Sequence, residues 1–217
     1  MINKFYYELI YSKIMNIGVL VSGRGTNLQA IIDASKDGKI KSRVVVVISN
    51  KRDAYALLRA EKEGIPAFFL SSKNKTPEEY DKEIIGILEN YKVDLVVLAG
   101  YLKILSGVLI EKYKDRIINI HPALLPSFGG KGFYGENVHR AVLDAGCRVS
   151  GCTVHFVRLE IDKGPIIVQK CVEVLDNDTP ETLAERILPH EHQALVEAIK
   201  IIEEGRYKIE GMRVKRI

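Results

Sequence analysis

The sequence predicts an α/β fold with a mostly parallel central sheet, an antiparallel C-terminal extension and a long C-terminal helix. Short runs rich in Val and Ile alternate with helical patterns over the first 120 residues. Such runs are typical of parallel strands that helices cover on both faces. Beyond residue 150, two longer apolar runs follow one another with only a short link between them, which indicates an antiparallel pair.

Each strand of the first half is predicted by its own apolar run. These runs cover residues 16–21, 43–50, 67–70, 93–99 and 116–120, and helices are predicted over 27–34, 53–63, from 76 onward, and 106–113. Asp53 is placed to cap the second helix and Gly64 to end it. Thr76, Pro77 and Glu79 supply a cap, a first-turn proline and a capping-box acid for the third helix.

The second half begins with a glycine-rich loop. The elements predicted there are a loop over 128–135, a helix over 136–145, strands over 151–157 and 165–174, a helix that Thr179 caps and that ends near Glu204, and a hairpin over 206–217 around Glu210 and Gly211. We expect an N-terminal extension, 1–14, and one domain, 15–217. Within that domain we expect a parallel half, 15–120, and a C-terminal half, 121–217.

Composition limits the classes of function. Hydrophobic residues make up 47% of the 217 and charged residues 28%, which is typical of a globular chain. The net charge is only +4, and the one basic cluster is Arg213, Lys215 and Arg216, so we expect no nucleic-acid partner. The chain contains no apolar run of about 18 residues, so we also expect no membrane partner.

Cysteine and histidine usage argues against disulfides and metal. Three cysteines without paired spacing favour a reducing compartment, and we expect a cytoplasmic protein. His190 and His192 are two apart in a predicted helix and so do not share a face, and we expect no metal. Residues 1–14 lack the pattern of a secretory signal, and either Met1 or Met15 is a candidate start.

The turn after the first strand carries two glycines, Gly23 and Gly25, before Thr26 and Asn27. Glycines at this point let backbone N–H groups converge on an anion at a helix N-terminus. A dinucleotide loop would have a third glycine where Leu28 stands, and the lysine of a P-loop is also missing. The loop therefore fits a single phosphate, with a plain tight turn as the alternative.

Asn119 and His121 follow an apolar run and precede Pro122. Because side chains alternate along a strand, the amide and the imidazole face the same way. Together they offer a donor and a titratable acid to a carbonyl oxygen that becomes an oxyanion. The alternative is a strand end with a capping Asn and an unrelated His.

Three further features have structural alternatives. The segment 98–105 leaves the end of the fourth strand, where α/β sheets bind ligands, and could instead be a loop that covers the sheet. Asp162 precedes Lys163 and Gly164 and could be a turn residue. His155 lies within an apolar run and is interpreted as a core histidine.

Taken in order, these pieces resemble the folate-dependent phosphoribosylglycinamide formyltransferases of purine synthesis. The matching stretches are 22–32, 98–106, 119–126, 151–157 and 162–165, together with Glu191 and His192, and the resemblance covers 15–206. It implies a Rossmann-like formyltransferase fold with a phosphate-binding parallel half, 15–120, and a folate-binding and C-terminal half, 121–217. It also implies transfer of a formyl group from 10-formyltetrahydrofolate, a co-substrate, to the amine of glycinamide ribonucleotide, without metal.

The same resemblance implies the roles of individual residues. Asn119, His121 and Asp162 would be catalytic; Gly25, Thr26, Asn27 and Glu191 would bind the ribonucleotide; Leu102, Lys103, Ile104, Leu105 and Asn119 would bind the folate. The chain departs from the family at Pro77, where relatives carry an Arg for the folate tail, and at Lys103, where some have Arg. Lys75 or Lys73 is the expected substitute for the first of these.

The mechanism that follows is direct attack by the amine, with Asn119 and His121 stabilising the oxyanion and protons moving through His121 and water near Asp162. A charge on Asp162 should raise the pKa of His121 and keep more of it protonated near neutrality. Methionyl-tRNA formyltransferases and formyltetrahydrofolate deformylases share the trio but carry an additional domain, which we do not expect in a chain of 217 residues. An inactive phosphate-ligand-binding module would be expected to lose the trio, which is intact. We expect small-molecule substrates and a monomer or homodimer.

Overall fold

The computed structural model describes residues 14–217, so the predictions on the N-terminal extension fall, apart from Ile14, outside the described residues. The described residues form one nine-stranded sheet with the order β3-β2-β1-β4-β5-β6-β7-β9-β8. The strands are β1 Asn16–Val21, β2 Arg43–Ser49, β3 Ala67–Phe69, β4 Leu95–Leu98, β5 Ile117–His121, β6 Val149–Phe156, β7 Ile166–Glu173, β8 Tyr207–Glu210 and β9 Arg213–Arg216.

Six helices connect these strands within the described residues. They are α1 Thr26–Lys36, α2 Tyr55–Lys62, α3 Pro77–Asn90, α4 Gly107–Lys112, α5 Glu136–Asp144 and α6 Pro180–Glu204. The capping box predicted for α3 is confirmed, because Thr76 accepts from the Glu79 N–H and the Glu79 carboxylate accepts from the Thr76 N–H. Thr179 caps α6 as predicted.

The predicted cap at Asp53 is wrong. Helix α2 begins two residues later, at Tyr55, and its N-cap residue is Ala54, without a side-chain hydrogen bond. The N–H of Ala56 in the first turn instead donates to the carbonyl of Gly23, at 3.1 Å. A tertiary contact therefore satisfies a donor that a capping side chain would otherwise serve. Gly64 does follow the end of the helix, with φ +68°.

The predicted mixture of parallel and antiparallel strands is confirmed. Strands β3, β2, β1, β4 and β5 are parallel, whereas β6 is antiparallel to both β5 and β7. The predicted hairpin joins β8 to β9, and β9 extends the sheet beyond β7. Because β2 and β4 lie on opposite sides of β1, the strand order reverses there. Ligands bind at such switch points, outside the carboxyl ends of the strands.

Apolar side chains bury both faces of the sheet. Val19 belongs to one apolar cluster and Leu20 to the other, as alternation along β1 requires. Helices α1 and α6 cover the first face, through residues such as Ile31 and Ile187, and α3 and α4 cover the second. Between residues 14 and 217, no helix is long and apolar enough to cross a membrane.

Candidate active site

A continuous cavity of about 780 Å³ lies at the carboxyl ends of β1, β4 and β5. Its wall comprises residues 23–27, 98–105, 119–122, 130–136, 157–159, 161 and 162, one face of α6, and three further side chains, Ile110, His139 and His155. The segments that the sequence associated with phosphate, folate and catalysis therefore share one cavity.

The phosphate loop, Gly23–Asn27, leads into the first turn of α1. Gly25 is the N-cap residue, with φ +74°, and Thr26 and Asn27 begin the helix. A Cβ at position 25 would lie 2.6 Å from the Cβ of Ala56, so this close approach also requires glycine. The first N–H groups of α1 have no intrahelical partner and suit an anion at this end of the cavity.

Glu191 approaches the phosphate loop from α6. Its carboxylate accepts a hydrogen bond from Asn27 Nδ2 at 2.8 Å, which joins two predicted ribonucleotide-binding residues that are 164 positions apart. Burial raises the pKa of Glu191, and the hydrogen bond from Asn27 opposes this only in part. Asn27 Oδ1 is buried without a partner in the described part of the chain. The Asn27–Glu191 pair therefore forms a polar part of the cavity wall in which Asn27 Oδ1 remains available as an acceptor.

The predicted folate segment, Leu102–Leu105, forms the opposite wall. The Leu102 N–H donates to Ser22 Oγ at 2.9 Å, which fixes the segment against the first turn of the sheet. Leu102 and Ile104 are 50% and 61% exposed although both are large and apolar, so this wall offers apolar surface to a ligand. Lys103 Nζ lies 5.2 Å from the centroid of the Tyr80 ring, a cation–π contact.

Lys75 is not brought to this cavity. It is absent from the cavity wall, and its Nζ forms an ion pair with Glu83 at 2.6 Å. Lys73 does not line the cavity either. The lysine and arginine residues of the wall are instead Arg24, Lys103, Lys131 and Arg158. The geometry thus lends no support to Lys75 as the substitute for the missing Arg at Pro77.

Asn119, His121 and Asp162 converge at the centre of the cavity. Asn119 and His121 end β5 on the same face, and Asp162 lies on the loop between β6 and β7. Asn119 Nδ2 donates to Asp162 Oδ1 at 3.4 Å, and His121 Nδ1 lies 3.7 Å from Asp162 Oδ2. The three side chains that the sequence predicts to be catalytic therefore lie close together, with Asp162 next to both of the others.

Asp162 is held in place by its backbone and by the glycine-rich loop. It adopts the left-handed conformation, φ +56°, which Asp tolerates better than most residues, and its Oδ2 accepts from the Gly130 N–H at 2.9 Å. Burial raises its pKa, but His155, the Gly130 N–H and His121 lower it, and the net pKa is below the usual value. Asp162 is therefore a carboxylate at neutral pH.

His121 is held as a neutral base, contrary to the expectation from sequence. Its Nε2 lies 2.7 Å from the carbonyl of Phe128, which can only accept, so Nε2 carries the proton and Nδ1 offers a lone pair. Burial lowers the pKa of His121, and the charge of Asp162, which raises it, does not compensate. The predicted effect of Asp162 is confirmed in direction, but the expected protonated state is wrong, because His121 is only 4% exposed and burial outweighs the nearby charge.

His155 is a buried, hydrogen-bonded histidine, as its apolar run predicts, and it also lines the cavity beside Asn119. It is 2% exposed, and it pairs with Asn119 across β5 and β6. Its Nδ1 donates to the carbonyl of Phe156 at 2.9 Å, and its Nε2 accepts from Asn119 Nδ2 at 3.2 Å. Both amide hydrogens of Asn119 thus have partners, His155 and Asp162. Only the strand register, which the sequence does not reveal, could have shown this.

Metal-binding geometry is not found in residues 14–217. No group of three or more His, Cys, Asp and Glu side chains there is arranged to hold a metal ion. The three cysteines are free, and Cys152 is buried. The chemistry of the cavity described above rests on an amide, imidazoles and carboxylates.

Sequence comparison points to one family. A family model described as formyl transferase matches residues 15–199. The phosphoribosylglycinamide formyltransferase of Escherichia coli (strain K12) is 43% identical over 196 residues, which cover 90% of each chain. The chloroplastic phosphoribosylglycinamide formyltransferase of Arabidopsis thaliana is 44% identical over 88% of this chain, and the trifunctional purine biosynthetic protein adenosine-3 of Gallus gallus is 42% identical over 90%. The chain spans 66% and 19% of the lengths of these two relatives.

Solved structures point to the same family. The glycinamide ribonucleotide transformylase 1 of Symbiobacterium toebii superimposes with a TM-score of 0.89 at 46% identity, over 94% of each chain. A formyltetrahydrofolate deformylase from Pseudomonas syringae superimposes with a TM-score of 0.82 at 27% identity, over 95% of this chain and 67% of its own. The fold is thus found in enzymes whose names differ in the acceptor of the formyl group.

Proposed function

Because the chain belongs to the formyl transferase family, and within it to the phosphoribosylglycinamide formyltransferases, we propose that it transfers a formyl group from 10-formyltetrahydrofolate to 5-phosphoribosylglycinamide in purine biosynthesis. The acceptor is the primary amine of the ribonucleotide, and the product is its N-formyl derivative. The observation that carries the proposal is the convergence of Asn119, His121 and Asp162 between the phosphate loop and the apolar wall.

The ribonucleotide occupies the half of the cavity between α1 and α6. Its phosphate is received by the backbone of Gly25, Thr26 and Asn27, where the helix N-terminus favours negative charge. Asn27 and Glu191 serve the sugar and glycinamide, since Asn27 has a free buried acceptor and Glu191 a carboxyl group beside it. This arrangement directs the amine toward His121.

The formyl-folate occupies the other half. The exposed apolar side chains of Leu102 and Ile104 suit a flat aromatic ring, and the backbone of this segment and of the Asp162 loop suits its polar rim. The formyl carbon then lies near Asn119. For a substrate oxygen to receive a hydrogen bond from Asn119 Nδ2, one of the bonds to His155 or Asp162 must be exchanged.

Proton transfer follows from the neutral state of His121. The amine attacks the formyl carbon, an N–C bond forms, and the carbonyl electrons move to oxygen. Nδ1 of His121 accepts the proton that the amine loses, and the resulting imidazolium faces the Asp162 carboxylate 3.7 Å away. The same proton then moves to N10 of the folate as the C–N10 bond breaks and the carbonyl re-forms. His121 is thus returned to its neutral form.

The test is a spectrophotometric assay with purified protein, 10-formyltetrahydrofolate and 5-phosphoribosylglycinamide. We expect loss of the formyl-folate only when both substrates are present, with one formylated ribonucleotide formed for each formyl group lost. Loss at the same rate without ribonucleotide, with formate as product, would identify a hydrolase instead. Formylation of methionyl-tRNA in preference to the ribonucleotide would also contradict the proposal.

A further inference from the structure

A third imidazole on the cavity wall has no role in the chemistry above. His139 lies on α5, is 4% exposed, and lines the cavity. Its Nδ1 is buried without a hydrogen-bond partner, and no hydrogen bond joins its side chain to the described part of the chain. Neither the family resemblance nor the sequence motifs drew attention to this residue.

The two other buried imidazoles of the site are anchored. His121 donates from Nε2 to the carbonyl of Phe128, and His155 donates from Nδ1 to the carbonyl of Phe156. A buried polar group that lacks a partner costs free energy, so such groups are uncommon unless a ligand or water completes them. The unsatisfied Nδ1 of His139 therefore indicates that a group of the bound substrate supplies its hydrogen-bond partner.

The position of His139 indicates which of the two substrates supplies this partner. Helix α5 packs against α6, whose cavity-facing side includes Glu191, and a charge on His121 lowers the pKa of His139. His139 thus lines the same cavity as His121 and sits on a helix that packs against the helix of Glu191. The folate wall, Leu102–Leu105, is carried by a different part of the chain, between β4 and α4.

The chemistry of the ring limits the group that it binds. Burial is the main reason that the pKa of His139 is lowered, and the charge of Glu136, which raises it, does not compensate. A neutral imidazole has one donor and one acceptor, which suits a hydroxyl or an amide and gives no advantage to phosphate or carboxylate.

We propose that His139 is a specificity-determining residue that hydrogen-bonds an uncharged polar group of the ribonucleotide, either a sugar hydroxyl or the glycinamide. This rests on the proposed function, because it assigns a contact within the acceptor half of the same cavity. The contact orients the ribonucleotide so that its amine points toward His121.

The experiment is isothermal titration calorimetry of H139L with 5-phosphoribosylglycinamide, in the absence of folate. Leucine keeps the volume of the side chain and removes both ring nitrogens. We expect the dissociation constant to rise roughly tenfold, since a ligand group loses its partner. The dissociation constant for a non-reactive 10-formyl folate analogue should stay unchanged. Ribose 5-phosphate is the second ligand: an equal loss assigns the hydroxyl, and no loss assigns the glycinamide.

His192 provides a matched control. It also has a buried ring nitrogen without a partner, Nε2, but it does not line the cavity. Both H139L and H192L should unfold at or above the wild-type temperature, because each removes an unsatisfied polar atom. Only H139L should weaken ribonucleotide binding.

The outcomes separate the two proposals. If the wild-type protein does not bind 5-phosphoribosylglycinamide, the proposed function fails. If it binds and H139L binds equally well, the function survives and the assignment of His139 is overturned. A crystal structure of the unmodified protein with the ribonucleotide gives an independent decision. If that structure shows no ligand atom within hydrogen-bond distance of the His139 ring, the assignment is overturned, even if H139L cannot be purified.

Discussion

At the scale of single residues, burial and neighbouring groups set the protonation states of His121 and Asp162 on which the proposed acid–base chemistry depends. Both side chains are almost excluded from solvent, yet their pKa values move in ways that leave an uncharged base beside a carboxylate. The neutral imidazole can accept a proton, and the carboxylate stabilises the cation that results. The charge–charge attraction between His121 and Asp162 therefore forms only after His121 has accepted the proton.

The first consequence is a pH profile. Since His121 must be neutral to accept the amine proton, kcat/KM should fall as pH drops through the pKa of His121, which burial places below 6.5. Between that pKa and neutrality the rate should be flat with respect to this group. Rates measured in buffers of constant ionic strength test this. A rate that increased on acidification below pH 6.5 would mean that the imidazolium is the reactive form.

The second prediction concerns Asp162→Asn. Asparagine also tolerates the left-handed backbone found here, so the variant should fold and bind both substrates. Without the carboxylate the imidazolium is not stabilised, and kcat should fall roughly 10²–10⁴-fold. The acidic limb of the pH profile should also move to lower pH, because the charge that raises the pKa of His121 is gone.

His121→Ala should lose catalysis to a similar extent, and combining it with Asp162→Asn should cost far less than the sum, because the two residues act as a unit. Asp176→Asn is the control, since that side chain is 86% exposed and pairs with Arg148 away from the cavity. Near-normal turnover in folded Asp162→Asn would contradict the mechanism.

The sequence predicted the trio but not its surroundings. Asn119, His121 and Asp162 lie in recognisable motifs. The apolar run around His155 predicts its burial but gives no register, so it does not predict the contact with Asn119. Only the antiparallel pairing of β5 and β6 sets it opposite Asn119. Asp162 does raise the pKa of His121, as the sequence predicts, but a sequence does not show how deeply a ring is buried, and burial lowers this pKa by more.

At the scale of elements, the loop between β6 and β7 positions Asp162 through a very close backbone approach. A Cβ on Gly164 would overlap the carbonyl oxygen of Phe156, the last residue of β6. The Phe156 N–H donates to the carbonyl of Pro165 at 2.9 Å, so the two strands meet immediately after the loop. The glycine thus fixes where the loop closes, two residues after the carboxylate.

We therefore expect Gly164→Ala to destabilise the fold by roughly 1–3 kcal/mol or more, because backbone must move to admit the methyl group. Activity should fall as well, since the loop that carries Asp162 shifts. Gly86→Ala is the matched control: this glycine lies inside α3 with open space around it, and alanine there should stabilise by about 0.5–1 kcal/mol. For both variants, urea unfolding measures the stability and a steady-state assay measures kcat. Equal stability of the two variants would contradict this interpretation of the loop.

Most element boundaries followed from local patterns, and the failures have local causes. The cap at Thr76 was predictable because donor and acceptor lie three residues apart. The cap at Asp53 was not, because the Gly23 carbonyl that replaces it is distant in sequence. Propensity rules describe neighbours along the chain, and a tertiary partner overrides them.

At the scale of the whole molecule, α6 connects distant parts of the sheet. Near its middle, Glu191 binds Asn27 of the phosphate loop, and near its end the buried Glu203 accepts from the N–H and Oγ of Ser42, just before β2. The side chains that line the cavity all fall between Gly23 and Glu191 in the described residues. Residues 14–22 and the segment after Glu191 thus lie outside the cavity wall.

Every motif of the family resemblance lies after residue 14, so deletion of residues 1–14 should leave kcat within a few-fold of the full chain. Met15, which remains, is buried, and its N–H donates to Ser42 Oγ at 3.2 Å. Deletion of 206–217 is the contrasting truncation. It removes Tyr207, whose ring stacks on Phe156 at 5.8 Å, and should lower the unfolding temperature. Collapse of activity in a folded, soluble protein that lacks 1–14 would show that this segment serves the site.

The continuity of the cavity has a consequence for inhibitor design. Its phosphate end and its apolar end are walls of one space of about 780 Å³, without a partition of protein between them. A molecule that tethers a phosphosugar to a flat heteroaromatic group would make its second contact at the high effective concentration set by a short linker. Such a tethered ligand should bind far more tightly than either fragment, and the shortest linker that passes Asn119 and His121 would report the distance between the two reacting centres.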